Sequence, residues 1–297
     1  MKKPFALVAL SLLSIAQAQT CSGRLIQHAM GETCVPQSVK RLVVLDTGEL
    51  DSALALGIKP VGAVQAVGGF PSYLKDRTDG IVAVGTIAEP NLEKILALKP
   101  DLILSSKLRH GAIYNQLSRI APTVMAETVG VVWKDNLKLN AQALGKMKQY
   151  QLLMNKYNQR ILQIQSQLKK ARVQTTISIV RFVPGQTRIM LKDNFIGTIL
   201  SDVKLPRPKS QNKAGFMDVA TPESIPLMDG QYLFYSAYGP QEATSMKDYL
   251  QSPLWKNLSA VKNGRVREVN DDHWFLGIGI LAANKVLDDL NRIFDSK

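Results

Sequence analysis

The sequence has few of the residues and motifs that mark metal sites, membrane spans or common enzymes. It has two cysteines and three histidines in 297 residues, and the histidines (His28, His110 and His273) are scattered along the chain. No apolar run reaches the length of about 20 residues that a membrane-spanning helix needs. Neither a G-x-S-x-G elbow nor a phosphate-binding G-x-x-x-x-G-K-S/T loop occurs, so the sequence supports neither an α/β-hydrolase nor a P-loop enzyme.

Two short patterns suggest chemistry but are better explained as structure. Residues 277–282, GIGILA, match G-x-G-x-x-A, but the preceding DDHWFL is not a convincing strand, as a dinucleotide site requires. Close packing of a C-terminal helix is the favoured explanation. The triplet Asp271-Asp272-His273 suggests metal or general-base chemistry, yet a polar turn and helix N-cap is the commoner role of such a triplet.

Positive charge is in excess but is not concentrated. Lys and Arg total 37 against 24 Asp and Glu, which gives a formal net charge of +13 at pH 7. No basic run is longer than two residues and no nucleic-acid motif is present, so nucleic acid is not predicted as a partner. An anionic small ligand, or solubility alone, explains the excess better.

The first 18 residues have the pattern of a secretory signal peptide. Lys2 and Lys3 precede an apolar stretch over residues 5–15, and Ala16-Gln17-Ala18 provides a small-x-small cleavage site. Cleavage after Ala18 predicts a protein in the periplasm. Two alternatives remain: a buried N-terminal helix, and a lipoprotein anchored through Cys21, for which the preceding Ala18-Gln19-Thr20 is a poor match.

The two cysteines, Cys21 and Cys34, are predicted to form a disulfide, because an even count in an exported chain favours one. The loop of about 14 residues is worth roughly 3 kcal/mol in the chain-entropy model. It is expected to fix an extended N-terminal arm. A metal site is the weaker alternative, since no cluster of histidines or cysteines completes it.

The order of strands and helices predicts two lobes. Strands alternate with short helices through residues 39–126, which is typical of a parallel α/β layer. From Lys146 to Lys170 apolar residues recur three and four positions apart, which predicts one helix of about 37 Å that begins there or earlier, near Trp133. We therefore expect an α/β protein with two Rossmann-like lobes with parallel sheets connected by one long helix. The predicted units are an N-terminal lobe with its arm (19–132), a linking helix region (133–171) and a C-terminal lobe (172–297).

Three arginines are candidates for binding an anion. In SIVRFVPGQTRIM a turn at Pro184-Gly185 would place Arg181 opposite Arg188, and like charges across a strand pair are destabilising. Arg109 follows another predicted strand, and ligands bind outside the carboxyl ends of strands in open α/β sheets. Arginines facing a cleft would repel one another until an anion enters. The alternative is that they pair with internal acids or project into solvent, since the hairpin register can slip.

Several segments together resemble the ferric siderophore-binding proteins of ABC importers. They are RLVVLDTGELDSALALGIKPVGAV, GTIAEPNLEKILALKPDLILSS, RHGAIYNQLSRIAPTV, ISIVRFVPGQTRIMLKDNFIGTILSDVKLPRP and DDHWFLGIGILAANKVLDDL. The resemblance covers nearly the whole chain after the signal peptide. It implies a periplasmic binding protein of two α/β lobes joined by a single long helix. The segment NLEKILALKPDLIL alone fits the wider class, which includes vitamin B12 and haem binders.

The resemblance also implies roles for individual residues. The positions that match the family's ligand-binding residues are Arg109, Arg181, Arg188, Trp274, Tyr114 and Phe195. The arginines would touch the siderophore from both lobes, the tryptophan would line the cleft, and the tyrosine and phenylalanine are weaker candidates at its rim. Glu93 and Glu223 match the acidic residues that dock onto permease arginines, although both also lie near helix starts, where the helix dipole favours a carboxylate.

The expected function is therefore transport rather than catalysis. A monomer would capture an iron(III)-siderophore and deliver it to an inner-membrane ABC permease. The siderophore would supply the iron ligands, so neither a protein metal ligand nor a permanently bound cofactor is expected. Three arginines favour an anionic chelate of citrate or hydroxamate/citrate type. The alternatives are a haem or corrinoid cargo, for which Tyr235, Tyr238 or His273 are possible haem ligands, and an exported α/β enzyme.

Overall fold

The computed structural model describes residues 21–170 and 175–295, so the predicted signal peptide lies outside the described residues. The described chain begins with an antiparallel hairpin rather than an extended arm. Its strands are β1 (Arg24–His28) and β2 (Gly31–Val35), and a disulfide joins Cys21 to Cys34 as predicted. The Arg24 guanidinium donates hydrogen bonds to the carbonyls of Pro36 and Ala143, both at 2.8 Å. These bonds attach the hairpin to the body of the protein.

The first sheet is entirely parallel, as predicted. Its strands and the helices between them are β3 (Leu42–Val44), α1 (Thr47–Ala55), β4 (Gly62–Gln65), α2 (Lys75–Thr78), β5 (Val82–Thr86), α3 (Leu92–Ala97), β6 (Leu102–Ser106), α4 (Lys107–His110), α5 (Tyr114–Ile120) and β7 (Thr123–Ala126). The strand order is β5-β4-β3-β6-β7. Both β3 and β6 are completely buried, which explains their continuous apolar sequences.

The long connecting helix is present, but it begins after a break. Helix α6 (Trp133–Leu144) ends at Gly145, whose φ of 66° is left-handed, and α7 (Met147–Lys170) then continues for 24 residues. A residue with positive φ cannot continue a right-handed helix, so α6 and α7 are separate elements. Four residues of the apolar stripe predicted for α7 are buried, namely Tyr157, Ile161, Ile164 and Leu168.

The second sheet contains a parallel part, as predicted, and one antiparallel strand that belongs to the predicted hairpin. Its elements are β8 (Ile177–Val183), β9 (Gln186–Met190), α8 (Phe195–Asp202), β10 (Met217–Ala220), β11 (Tyr232–Ala237), α9 (Met246–Gln251), α10 (Pro253–Lys256), α11 (Ser259–Lys262), β12 (Val266–Glu268) and α12 (Ile280–Asp295). The order is β10-β9-β8-β11-β12, and β8, β11 and β12 are mutually parallel. Strand β9 runs antiparallel to both of its neighbours, β8 and β10. A two-residue turn returns the chain from β8 to β9, as is usual for an antiparallel pair, whereas a longer segment that contains α8 connects β9 to β10.

The last helix, α12, is hydrogen-bonded to α1 of the first lobe. Its first amides, of Leu281 and Ala282, donate to the carboxylate of Asp51 in α1, both at 2.9 Å. Asp51 is fully buried, and burial raises its pKa to about 6 although these amides and the Tyr73 hydroxyl favour its charged form. Among the described helices, none combines the length and the hydropathy that crossing a membrane requires.

Candidate functional site

The carboxyl ends of the two sheets adjoin one another. The hydroxyl of Thr47, just after β3, donates to the carbonyl of Leu276, the last residue of the π-helical turn Asp272–Leu276 that follows β12. The amide of Val67, after β4, donates at 3.3 Å to the hydroxyl of Tyr238, which follows β11. Because both contacts join residues just beyond strand ends, the junction is where ligands bind in open α/β proteins.

The hairpin register is the one that the sequence predicted. Arg181 on β8 is directly opposite Arg188 on β9, and the turn closes at Pro184 and Gly185. Gly185 has a φ of 71°, a conformation that glycine adopts without strain, and this fixes the two-residue loop. The two guanidinium-bearing residues therefore share one face of the second sheet.

Arg181 is already neutralised, which corrects the expectation that it is unpaired. Its Nε donates to Asp271 Oδ1 at 2.7 Å and its Nη2 donates to Oδ2 at 2.5 Å, a bidentate ion pair. The two side chains are 11% and 10% exposed. Ser236 also donates to Asp271 Oδ1, at 2.8 Å. The prediction missed Asp271 because 90 residues separate it from Arg181 in sequence.

Arg109 is paired as well. Its Nε donates at 3.0 Å to Asp46 Oδ2, and the arginine side chain is 40% exposed whereas that of Asp46 is fully buried. Asp46 follows β3 and caps α1, while Arg109 follows β6, the neighbouring strand. Adjacent parallel strands bring their carboxyl ends together, which is why these two residues meet. The alternative of pairing with internal acids thus holds for both Arg109 and Arg181.

Arg188 is the arginine whose charge stays uncompensated. Its Nε donates to the neutral amide of Gln186 at 2.8 Å, and across residues 21–170 and 175–295 no carboxylate oxygen lies within 4.0 Å of its nitrogens. Burial, and then the neighbouring Arg181, lower the pKa of Arg188, and Asp271 only partly offsets them. The junction therefore retains one positive charge beyond its two internal ion pairs.

A buried carboxyl group interacts electrostatically with the Asp46–Arg109 pair. Glu49, in the first turn of α1, is 1% exposed, and its Oε2 lacks a hydrogen-bond partner in the described part of the chain. Burial, and then the charge of Asp46, raise the pKa of Glu49 to about 8, so it is protonated near neutral pH. The sequence signal for this buried acid is its position within the apolar helix pattern GELDSALALG.

The structure corrects the aromatic assignment. Trp274 is 0% exposed, packs edge-on against Phe234 and donates its indole N–H to Asp289 at 2.9 Å, so it belongs to the core. The rings beside the arginines are Phe275 and Tyr238, whose centroids lie 5.1 and 5.0 Å from the Arg181 Cζ. Phe275 is the immediate neighbour of the predicted tryptophan, and sequence alone could not tell which of the two faced inward.

The two rim candidates lie in other surroundings. Phe195 is 2% exposed and packs against Trp133, so its side chain is part of the core. Tyr114 is partly buried, and its ring lies 5.9 Å from that of His28 in the N-terminal hairpin. The structure therefore does not bring either ring beside the arginines of the second sheet.

The possible haem ligands are engaged with other groups. The His273 side chain is 12% exposed, and its Nε2 lies 2.7 Å from Asp289. Tyr238 accepts the Val67 amide and lies beside Arg181, while the pKa of Tyr235 is raised by burial and by Glu268. Within the described residues, His, Cys, Asp and Glu nowhere gather in a group of three that could hold a metal.

The two acidic residues predicted to dock are both exposed. Glu93 lies in the first turn of α3, which Asn91 caps. Glu223 lies in the 3-10 helix Pro222–Met228 of the second lobe, and hydrogen bonds from the Thr221 side chain and from its own backbone lower its pKa. Each glutamate therefore presents a negative charge to solvent from a different half of the molecule.

Comparisons with known proteins agree with this architecture. A family model described as "Periplasmic binding protein" matches residues 42–272. The chain is 40% identical over 295 residues to the probable siderophore-binding lipoprotein YfiY of Bacillus subtilis strain 168, covering 95% of this chain and 90% of that protein. It is 31% identical to the achromobactin-binding periplasmic protein of Dickeya dadantii, with 91% and 92% covered.

One further relative and one solved structure extend the similarity. The Fe(3+) dicitrate-binding periplasmic protein FecB of Escherichia coli K12 is 27% identical, with 91% of this chain and 89% of FecB covered. The crystal structure of Staphylococcus aureus SirA complexed with staphyloferrin B superposes with a TM-score of 0.81 at 36% identity, covering 91% and 98% of the two chains. Sequence, fold and the location of the junction lead to the same conclusion: this chain belongs to the periplasmic binding protein family.

Proposed function

We propose that the protein captures an anionic iron(III)-siderophore, of citrate or hydroxamate/citrate type, and delivers it to an inner-membrane ABC permease. The family and the ligands named for YfiY, FecB and SirA support an iron-chelate cargo. The observation that carries the anionic preference is Arg188, a partly buried cation that faces Arg181 instead of an acid. The siderophore supplies the oxygen ligands of the iron, and the protein supplies the surrounding donors.

The internal ion pairs change how the other arginines take part. A guanidinium has five N–H donors, and the bonds to Asp271 use only two of those on Arg181. Arg109 uses one donor for Asp46 and is 40% exposed. In this proposal Arg188 supplies the net charge, and Arg109 and Arg181 supply hydrogen bonds to carboxylate oxygens of the chelate. A neutral chelate gains little from the uncompensated charge.

Titration of the ligand-free protein with a chelate panel tests this function. The panel contains ferric citrate, a schizokinen-type ferric chelate, a neutral ferric trihydroxamate, haem and a corrinoid, and tryptophan fluorescence or calorimetry reports binding. We expect the anionic chelates to bind at least about tenfold more tightly than the neutral one, a difference of ~1.4 kcal/mol. Preferred binding of haem or the corrinoid, or chemical turnover of any compound, would contradict the proposal.

We also propose that Glu93 and Glu223 dock the loaded protein onto the permease. The double variant Glu93→Lys/Glu223→Lys is expected to bind its chelate normally and to lose stimulation of the permease ATPase, because both contacts become repulsive. Glu32→Lys, an exposed charge reversal in the N-terminal hairpin, is the matched control and should stimulate normally. Equal stimulation by the double variant and the control would rule out this docking mode.

We propose that the mature protein is a periplasmic monomer that begins at Gln19, with lobes spanning 19–132 and 172–297 around the linking region 133–171. The engagement of Cys21 with Cys34 supports cleavage over lipid anchoring, because a disulfide leaves no Cys21 thiol for a lipid. The mass of the protein purified from cells tests this. A mass that fits an unmodified chain from Gln19 supports the proposal, and a diacylglyceryl adduct on Cys21 contradicts it.

A further inference from the structure

We propose that Asp271, supported by Ser236, is a positioning residue that sets the specificity of the site for anionic chelates. This inference rests on the proposed function. Asp271 carries a negative charge beside the arginines that would attract the cargo, so simple charge counting makes it an obstacle to an anion. Its geometry indicates the opposite role, because it fixes one guanidinium in the orientation that the chelate meets.

The contacts around Asp271 restrain Arg181 from several sides. Both carboxylate oxygens bind the guanidinium edge formed by Nε and Nη2, at 2.7 and 2.5 Å. A planar fork held at two points cannot rotate, so Nη1 and the remaining N–H of Nη2 have fixed directions. The rings of Tyr238 and Phe275 lie 5.0 and 5.1 Å from the Arg181 Cζ and further limit its position.

Ser236 extends this restraint into the sheet. It is in register with Arg181 on the adjacent strand β11, is 0% exposed, and donates to Asp271 Oδ1 at 2.8 Å. The carboxylate therefore has a rigid anchor in addition to the arginine. Without it, Arg181 would be free to swing away from Arg188, since like charges opposite each other in a strand pair repel.

The consequence is that the two arginines stay side by side before cargo arrives. Arg181 is neutralised but keeps free donors, and Arg188, directly across the hairpin, keeps its charge. A chelate carboxylate that reaches Arg188 then finds the free donors of Arg181 already aligned. Preorganised donors strengthen binding because the cost of ordering them has been met during folding.

The test compares two variants that each remove one negative charge, Asp271→Asn just after β12 and Glu268→Gln at its end. Asp271→Asn abolishes the bidentate contact, whereas Glu268→Gln removes an exposed charge on β12 that forms no ion pair with an arginine in the described part of the chain. Dissociation constants are measured for ferric citrate and for a neutral ferric trihydroxamate, with dissociation rates from stopped-flow fluorescence. Charge attraction alone predicts that both variants bind ferric citrate more tightly than the wild type.

We expect Asp271→Asn to bind ferric citrate at least about tenfold more weakly through faster dissociation, with a smaller loss for the neutral chelate, as for other supporting residues. Glu268→Gln should remain within about twofold of the wild type, as exposed charges usually do. Ser236→Ala, a milder variant that keeps both charges, should weaken ferric citrate binding in the same direction and decides the matter if Asp271→Asn does not fold.

Three outcomes overturn the inference or the function separately. Equal or tighter binding of ferric citrate by Asp271→Asn shows that Asp271 is a competing anion, and overturns the positioning role. Equal losses for the anionic and neutral chelates show a merely structural role, and overturn it too. Failure of the wild-type protein to bind any ferric chelate overturns the proposed function itself.

Discussion

Replacing Arg188 by leucine is expected to lower the affinity for an anionic ferric chelate about 100-fold, while the ligand-free protein becomes more stable. A charge that is partly desolvated and pairs with a ligand anion is worth about 2–5 kcal/mol when it is removed. In the ligand-free protein the same charge opposes Arg181 directly across the hairpin, and relief of such a pair gains about 0.2–1 kcal/mol. Opposite signs for affinity and stability are the signature of a residue kept for its ligand.

The measurement pairs calorimetric titration with thermal unfolding. Leucine keeps an apolar stem on β9, so the sheet packing is retained while the charge is lost. Arg119→Leu, at an exposed position on α5, removes the same charge far from the hairpin and serves as the control. An Arg188→Leu protein that binds the anionic chelate as tightly as the control protein would show that this charge does not contribute to capture.

Replacing Glu49 by glutamine is expected to stabilise the protein by about 2–3 kcal/mol at pH 7. This is a large effect for a substitution that replaces a single side-chain oxygen by nitrogen. Burial and the nearby Asp46 raise the pKa of Glu49 to about 8, so the folded protein holds a proton that the unfolded chain has released. Below the unfolded pKa near 4.5, Glu49 is protonated in both states and does not lower the free energy of unfolding. As the pH rises from there toward 8, the unfolded chain releases the proton and the free energy of unfolding falls. Glutamine is neutral throughout and avoids this loss.

Denaturant unfolding between about pH 5 and pH 8 measures this dependence as a slope of the free energy of unfolding against pH. The wild type should lose stability as pH rises, and Glu49→Gln should lose clearly less. Some slope should remain, because Asp51 also has a raised pKa, of about 6. Glu89→Gln, at an exposed position, is the control and should follow the wild type. Parallel slopes for the two variants would mean that Glu49 is ionised in the folded protein.

Local patterns predicted the fold well because each depended on neighbours in sequence. The buried runs of β3 and β6, the face of α7 and the Arg181–Arg188 register all follow from period, turn residues and strand length. The break at Gly145 and the antiparallel pairing of β10 with β9 were not predicted. A glycine within a helical pattern does not by itself indicate a positive φ, as Gly145 has. An apolar run predicts a strand but not the direction in which it pairs, as for β10.

The site was predicted less completely because its electrostatics depend on distant residues. Arg109 and Arg181 were found through strand ends and spacing, but Asp46 and Asp271 meet them across 63 and 90 residues. A single sequence contains no signal for such pairs. The direction of the Trp274 side chain could not be predicted for a related reason, because it is set by packing against Phe234 of the second sheet and by the hydrogen bond to Asp289.

We propose that an anionic ferric chelate binds at the junction through Arg188 and the free donors of Arg181. A crystal structure of the protein with a ferric citrate-type chelate would show this binding site. We expect chelate oxygens within about 3 Å of both guanidiniums, with the Arg181–Asp271 pair intact. A chelate bound elsewhere, for example in the 990 Å³ cavity lined by Arg24, Gly145 and Lys146, would contradict it.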